Sequence, residues 1–135
     1  MMTGSAKSGK LFAVKITPND EILKVPYPKR SGFNKEDTLD ELHFMQKEVD
    51  GRIEIVDGLK TGPKTAMIVN EEGLILGFPH NDVAQCLLTS DDSYIVGNVL
   101  ILSAIGTEVM GMTEEEAGNV ILLASHEKER LGKIY

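Results

Sequence analysis

Residues 51–102, GRIEIVDGLKTGPKTAMIVNEEGLILGFPHNDVAQCLLTSDDSYIVGNVLIL, carry the pattern that sets the fold. In 52–57, Ile53 and Ile55 alternate with Arg52, Glu54 and Val56, the period of a strand covered on one face. Two apolar runs, 65–69 (TAMIV) and 74–78 (LILGF), flank Asn70-Glu71-Glu72-Gly73. Asn at the first turn position and Gly at the fourth suit a type I turn closed by a left-handed residue, which predicts a tight hairpin with two adjacent carboxylates at its tip. Asn81 and Asp82 suit the cap and first turn of a short helix whose Val83, Ala84, Leu87 and Leu88 share a face. Residues 95–102 (IVGNVLIL) are apolar almost throughout, as a central strand covered on both faces should be, and Gly97 marks a bulge or a close packing contact.

Toward the N-terminus, 11–17 (LFAVKIT), the turn Pro18-Asn19-Asp20 and 21–25 form a second predicted hairpin. Residues 26–37 (PYPKRSGFNKED), with Lys29, Arg30 and Lys35, read as an exposed loop. A helix follows over 38–49: Thr38 and Glu41 have capping-box spacing, Leu39, Leu42, Met45 and Val49 form a stripe with His43 at its edge, and Gly51 stands where a C-terminal cap belongs. Beyond the organising stretch, 105–112 is a Gly-punctuated connection. Residues 113–130 form a long helix with a capping box at Thr113 and Glu116 and basic residues Lys128 and Arg130 near its negative end.

These elements predict an α+β domain over 11–135, with a mainly antiparallel sheet of about five to six strands and three helices packed on it, after a flexible tail over 1–10. The length of 135 residues suits one domain with one core. A single cysteine forms no intramolecular disulfide, no Cys/His cluster has zinc spacing, and no apolar run reaches a membrane span of roughly 18 residues. The expected setting is cytoplasmic. With 21 acidic against 14 basic residues the net charge is −7, which argues against general nucleic-acid binding and leaves an acidic surface for a basic partner.

Signals for chemistry are sparse. Residues 4–10, GSAKSGK, approach a phosphate loop, but Leu11 replaces the magnesium-holding Ser or Thr, and the segment precedes a strand where it should follow one. Glu71 and Glu72 could divide acid and base roles or hold a hard cation, yet neighbouring turn residues point apart, and no calcium-loop spacing surrounds them. His80 and Cys86 are poorly spaced for a Cys/His nucleophile, and nothing local favours a thiolate. No catalytic residue, metal or cofactor is assigned.

GRIEIV, IVNEEGLILGFPHNDVA and YIVGNVLIL, in that order, resemble a small family of uncharacterised domains carried by phages, plasmids and other mobile elements. The resemblance spans roughly 11–102 and leaves the final helix outside the family's core. It implies a fold and a genomic setting but no reaction. Genes of that setting often encode proteins that disable host defences, an association rather than a physical argument.

The leading expectation is therefore a non-enzymatic interaction module directed at a host protein. The alternative is a small-ligand binding protein, with nucleotides among its candidate ligands, and a hydrolase using paired glutamates ranks last. The candidate binding residues are Asn70, Glu71, Glu72, Asn81, Asp82 and Gly97. The run Val120-Ile121-Leu122-Leu123-Ala124 is apolar nearly all round, more than one sheet face covers, and predicts a homodimer through the C-terminal helix.

Overall fold

The apolar run at the end of the organising stretch becomes the middle of the sheet. In the computed structural model, which describes residues 10–28 and 35–134, the strands are β1 (Leu11–Ile16), β2 (Ile22–Tyr27), β3 (Ile53–Val56), β4 (Thr65–Asn70), β5 (Val99–Ile105) and β6 (Glu108–Met110). Their order is β2-β1-β5-β4-β3, with β6 also paired to β5, and every pairing is antiparallel. Ile101 lies opposite Val14 on one side and Met67 on the other. Period-2 geometry sends these three to one face, and Leu100 with its neighbour Ile68 to the other.

Helices cover both faces, so both series are buried. On one side α1 (Lys35–Val49) sets Met45 and Val49 against Ala13, Tyr27, Ile68, Leu100 and Leu102. On the other, α3 (Asp82–Cys86) and α4 (Glu114–Ile134) bring Val83, Ala84, Leu87, Ala117, Val120 and Ala124 onto Val14, Met67, Val99 and Ile101. A one-turn helix, α2 (Gly73–Leu76), lies between them in sequence. The predicted α+β class and antiparallel sheet are observed, with four helices among the described residues rather than three.

Several boundaries move, each for a local reason. The predicted hairpin about Asn70-Glu71-Glu72-Gly73 does not form, because β4 already has β3 on one edge and β5 on the other, leaving no edge for 74–78. Instead the Asn70 side-chain oxygen accepts the Glu72 amide at 2.7 Å, the Leu76 amide donates to the Glu72 carbonyl at 2.9 Å, and the chain coils into α2. Gly73 is not in the left-handed region; a Cβ there would lie 2.7 Å from Val96 Cγ2, so close approach is what demands glycine. β5 starts at Val99 rather than residue 95, since Gly97 (φ 74) turns the chain, and it runs to Ile105 with β6 folding back where a plain connection was expected.

α1 begins at Lys35, upstream of the expected Thr38 cap, and buried Glu41 accepts a hydrogen bond from the Tyr27 hydroxyl at 2.9 Å. Leu39 and His43 are exposed, and Asp50, not Gly51, takes the left-handed conformation after the helix (φ 66). The phosphate-loop-like 4–9, most of the tail and the basic residues Lys29 and Arg30 lie outside the described residues. The capping box of α4 forms as read: the Thr113 amide donates to Glu116 Oε1 at 2.8 Å and the Glu116 amide to Thr113 Oγ1 at 3.2 Å. No described helix is long and apolar enough to cross a membrane.

Candidate functional site

A turn of helix with three outward aliphatic side chains is the least economical use of apolar residues on this surface, and its origin lies in the residues that bracket it. Asn70 is buried at the end of β4; its Nδ2 donates to the Val49 carbonyl at 3.0 Å while its oxygen holds the Glu72 amide, so the exit from the sheet is fixed to the end of α1. Gly73 packs against Val96 and is the one buried residue of α2. With the chain pinned there, Leu74, Ile75 and Leu76 remain 63%, 85% and 56% exposed. Gly77 ends the turn in the left-handed conformation.

Beside α2 stands Tyr94, 61% exposed yet tightly held. Its ring lies 4.5 Å from that of His80, and His80 is hydrogen-bonded to Asp82 at 2.6 Å and to Gln85 at 3.1 Å. Gln85 also donates to the Ser93 carbonyl at 2.8 Å and accepts the Ile95 amide at 2.9 Å, fixing the backbone on both sides of Tyr94. A groove of about 180 Å³ separates Tyr94 and Leu74 from β3, with Glu54, Val56 and Glu71 along it. Glu71 pairs with Arg52 at 3.3 Å on the exposed rim. An aromatic side chain held through His80 and an exposed aliphatic one thus line the same groove, with carboxylates along it.

Of the sequence candidates, Asn70 and Glu71 line this groove, and Glu72 is exposed beside it. Asn81 is not available to a ligand. It is fully buried, its Nδ2 donates to the carbonyls of Ile16 at 3.0 Å and Gly97 at 2.8 Å, and its oxygen accepts the Ala84 amide at 3.1 Å as the cap of α3. Asp82 is exposed and engaged with His80. Gly97 is buried against Phe78 and borders a separate, more open depression near Lys15 and Asn98. The six candidates therefore do not form one pocket.

Sequence reading missed Leu74, Ile75, Leu76 and Tyr94. A signal for the first three was present: Gly73 and Gly77 bracket a run too short for a typical strand.

For catalysis the arrangement offers little. Glu71 and Glu72 are exposed, and among the described residues neither is hydrogen-bonded to a histidine or hydroxyl side chain. Burial, and next the Glu127 carboxylate, push the Cys86 thiol up from its ordinary value, the reverse of what a nucleophile needs. Among the described residues no group of three His, Cys, Asp or Glu side chains is placed to hold a metal ion.

Residues 16–124 match a family model described as Domain of unknown function (DUF3846). The match reaches into α4, part of the final helix that the resemblance had left outside the family's core. No curated protein and no solved structure matches the chain.

Proposed function

We propose, for a chain that belongs to the DUF3846 family of domains of unknown function, that it is a non-enzymatic interaction module whose contact surface is α2 with Tyr94. The observation that carries this reading is the exposure of Leu74, Ile75 and Leu76 in succession beside a fixed, exposed tyrosine. Contiguous apolar side chains on a surface cost solubility and are retained where a partner covers them. Glu54, Glu71 and Glu72 near the patch, within a chain of net charge −7, support a partner that presents an apolar segment flanked by Lys or Arg. In the mobile-element setting that the resemblance implies, the partner is a host protein in the host cytoplasm.

Ile75 is 85% exposed, so the double substitution Ile75→Glu with Leu76→Glu should change stability by no more than about 0.5 kcal/mol. A protein captured from host lysate by the parent chain should be lost by this variant. The parent's capture should also weaken as salt rises, because exposed charges are screened beyond about 10 Å at 0.1 M. A partner held equally by parent and variant would place the contact elsewhere.

Homodimerisation through α4 accompanies this reading, with a narrower basis than the sequence suggested. Val120 and Ala124 are buried, and Ile121 and Leu123 are half-covered against the core, which leaves Leu122, 72% exposed, as the apolar anchor. Light scattering at micromolar concentration should give twice the chain mass for the parent and a single chain mass for Leu122→Glu; a monomeric parent would sink the dimer.

A further inference from the structure

The loop 57–64 and the first residue of β4 carry two Lys-Thr pairs four residues apart, Lys60-Thr61 and Lys64-Thr65, about Gly62-Pro63. This spacing has no role in the interaction surface, which lies elsewhere on the molecule. The fold sets both pairs at the mouth of a cleft of about 260 Å³ between that loop and α4. Ser103 is part of its lining. Along β5, Val99 and Ile101 face the core beneath α4, and period-2 geometry places Ser103 on the same face, so an apolar series ends in a hydroxyl at the cleft.

Ser103 is 8% exposed, and its hydroxyl has no hydrogen-bond partner among the described residues. The hydroxyl is not sealed off from solvent, so it can donate to a group that enters the cleft. The neighbouring hydroxyls are accounted for: Thr65 Oγ1 donates to the Gly62 carbonyl at 2.8 Å, so Thr61 Oγ1 donates to it at 2.6 Å.

Charge at the cleft favours an anion. Lys64 makes no ion pair among the described residues. Lys60 lies 3.8 Å from Glu127, a loose contact, since Arg130 already holds both oxygens of Glu127 at 3.0 and 3.2 Å. Glu116, the one carboxylate lining the cleft, accepts from the Thr113 amide and keeps its negative charge, so the two lysines outnumber it two to one. Asn119 of α4 adds an amide donor, and Met112, Val120 and Leu123 give an apolar wall.

We infer that this cleft binds a small phosphomonoester, its phosphate held by Lys60, Lys64 and the Ser103 hydroxyl and its organic part laid on the apolar wall. Ammonium groups meet phosphate as point charges, and a neutral hydroxyl donates without adding charge. The inference is independent of the interaction reading, and either can fail without the other.

The test is a titration of the isotopically labelled full chain followed by amide chemical shifts, with AMP, adenosine and inorganic phosphate as probes. AMP and phosphate should move the amides of 60–62, 64, 65, 103 and 119 in a saturable way, and adenosine should not. The Lys60→Gln, Lys64→Gln double variant should weaken AMP binding by about tenfold or more, as loss of charged hydrogen bonds does. Lys47→Gln, on exposed α1, should leave it unchanged. Ser103→Ala should weaken it several-fold, a loss that diffuse attraction to surface lysines would not show. Absent or unsaturable shifts, equal binding of adenosine, a double variant no weaker than Lys47→Gln, or indifference to Ser103→Ala would each overturn the site.

Discussion

Asn81→Ala should destabilise the fold by about 3 kcal/mol or more. Asn81 is fully excluded from water and joins three parts of the structure. Its Nδ2 satisfies the carbonyls of Ile16 at the end of β1 and Gly97 before β5, and its oxygen caps α3 through the Ala84 amide. Alanine removes all three of these hydrogen bonds from a site excluded from solvent, at about 1–3 kcal/mol for each buried group left unsatisfied. Loss of the cap alone costs about 1 kcal/mol.

Urea unfolding measures the difference, as a fall in midpoint with an unchanged slope. A loss near 1 kcal/mol would mean that the cap matters and the two carbonyl bonds do not. Asn81→Asp separates the roles further. It keeps the cap acceptor, removes both donations and turns a carboxylate toward two carbonyl oxygens, so at neutral pH it should be at least as damaging as alanine.

Gly97→Val should cost about 3 kcal/mol, from two separable causes. The φ of 74° lies in the left-handed region, where a β-branched residue pays about 1–2 kcal/mol. A Cβ at this position would stand 2.7 Å from Phe78 Cδ2 and 3.4 Å from Phe78 Cβ. Phe78 cannot retreat cheaply, because its amide is bonded to the Gly73 carbonyl at 3.0 Å and the Gly97 amide to the Pro79 carbonyl at 2.8 Å. Gly106 provides the control: its φ is 63°, with nothing within 4 Å of an added Cβ. Gly106→Ala should therefore show the backbone cost alone, about 1 kcal/mol, and Gly97→Ala that cost plus the contact with Phe78. Equal losses at the two positions, read from thermal or urea unfolding, would remove the packing argument.

Sequence pattern marks both Asn81 and Gly97 and places them among the binding candidates, whereas the structure shows both buried in structural contacts. The residue types were informative because each is rare in the environment it suits: an amide before an apolar helical run caps it, and a glycine inside an apolar strand marks a constraint. What pattern does not carry is the direction of the remaining hydrogen bonds. Asn81 reaches the Ile16 carbonyl across 65 residues of sequence, and no local rule contains that separation.

The sequence alone determined the elements whose stabilisation is local or periodic. The strands at 11–16 and 53–56, the continuous apolar series around Leu100 and Ile101, the Asn81 cap and the Thr113–Glu116 capping box were legible, because they rest on periodicity or on partners a few residues away, although Ile55, read as on the covered face of its strand, is 49% exposed. Composition excluded a disulfide framework for the same kind of reason, since one cysteine has no second to meet.

Tertiary structure decided the rest. Whether 74–78 formed a strand depended on a free edge of β4, and that edge was taken by β5 from beyond residue 98, so Leu74, Ile75 and Leu76 were turned outward. Whether the apolar run 120–124 lay exposed depended on how deeply α4 seats on the sheet, which left only Leu122 largely uncovered. Lys60, Lys64 and Ser103 became neighbours through the pairing of β4 with β5 and the docking of α4, contacts that close long stretches of chain and leave no mark at short sequence separation.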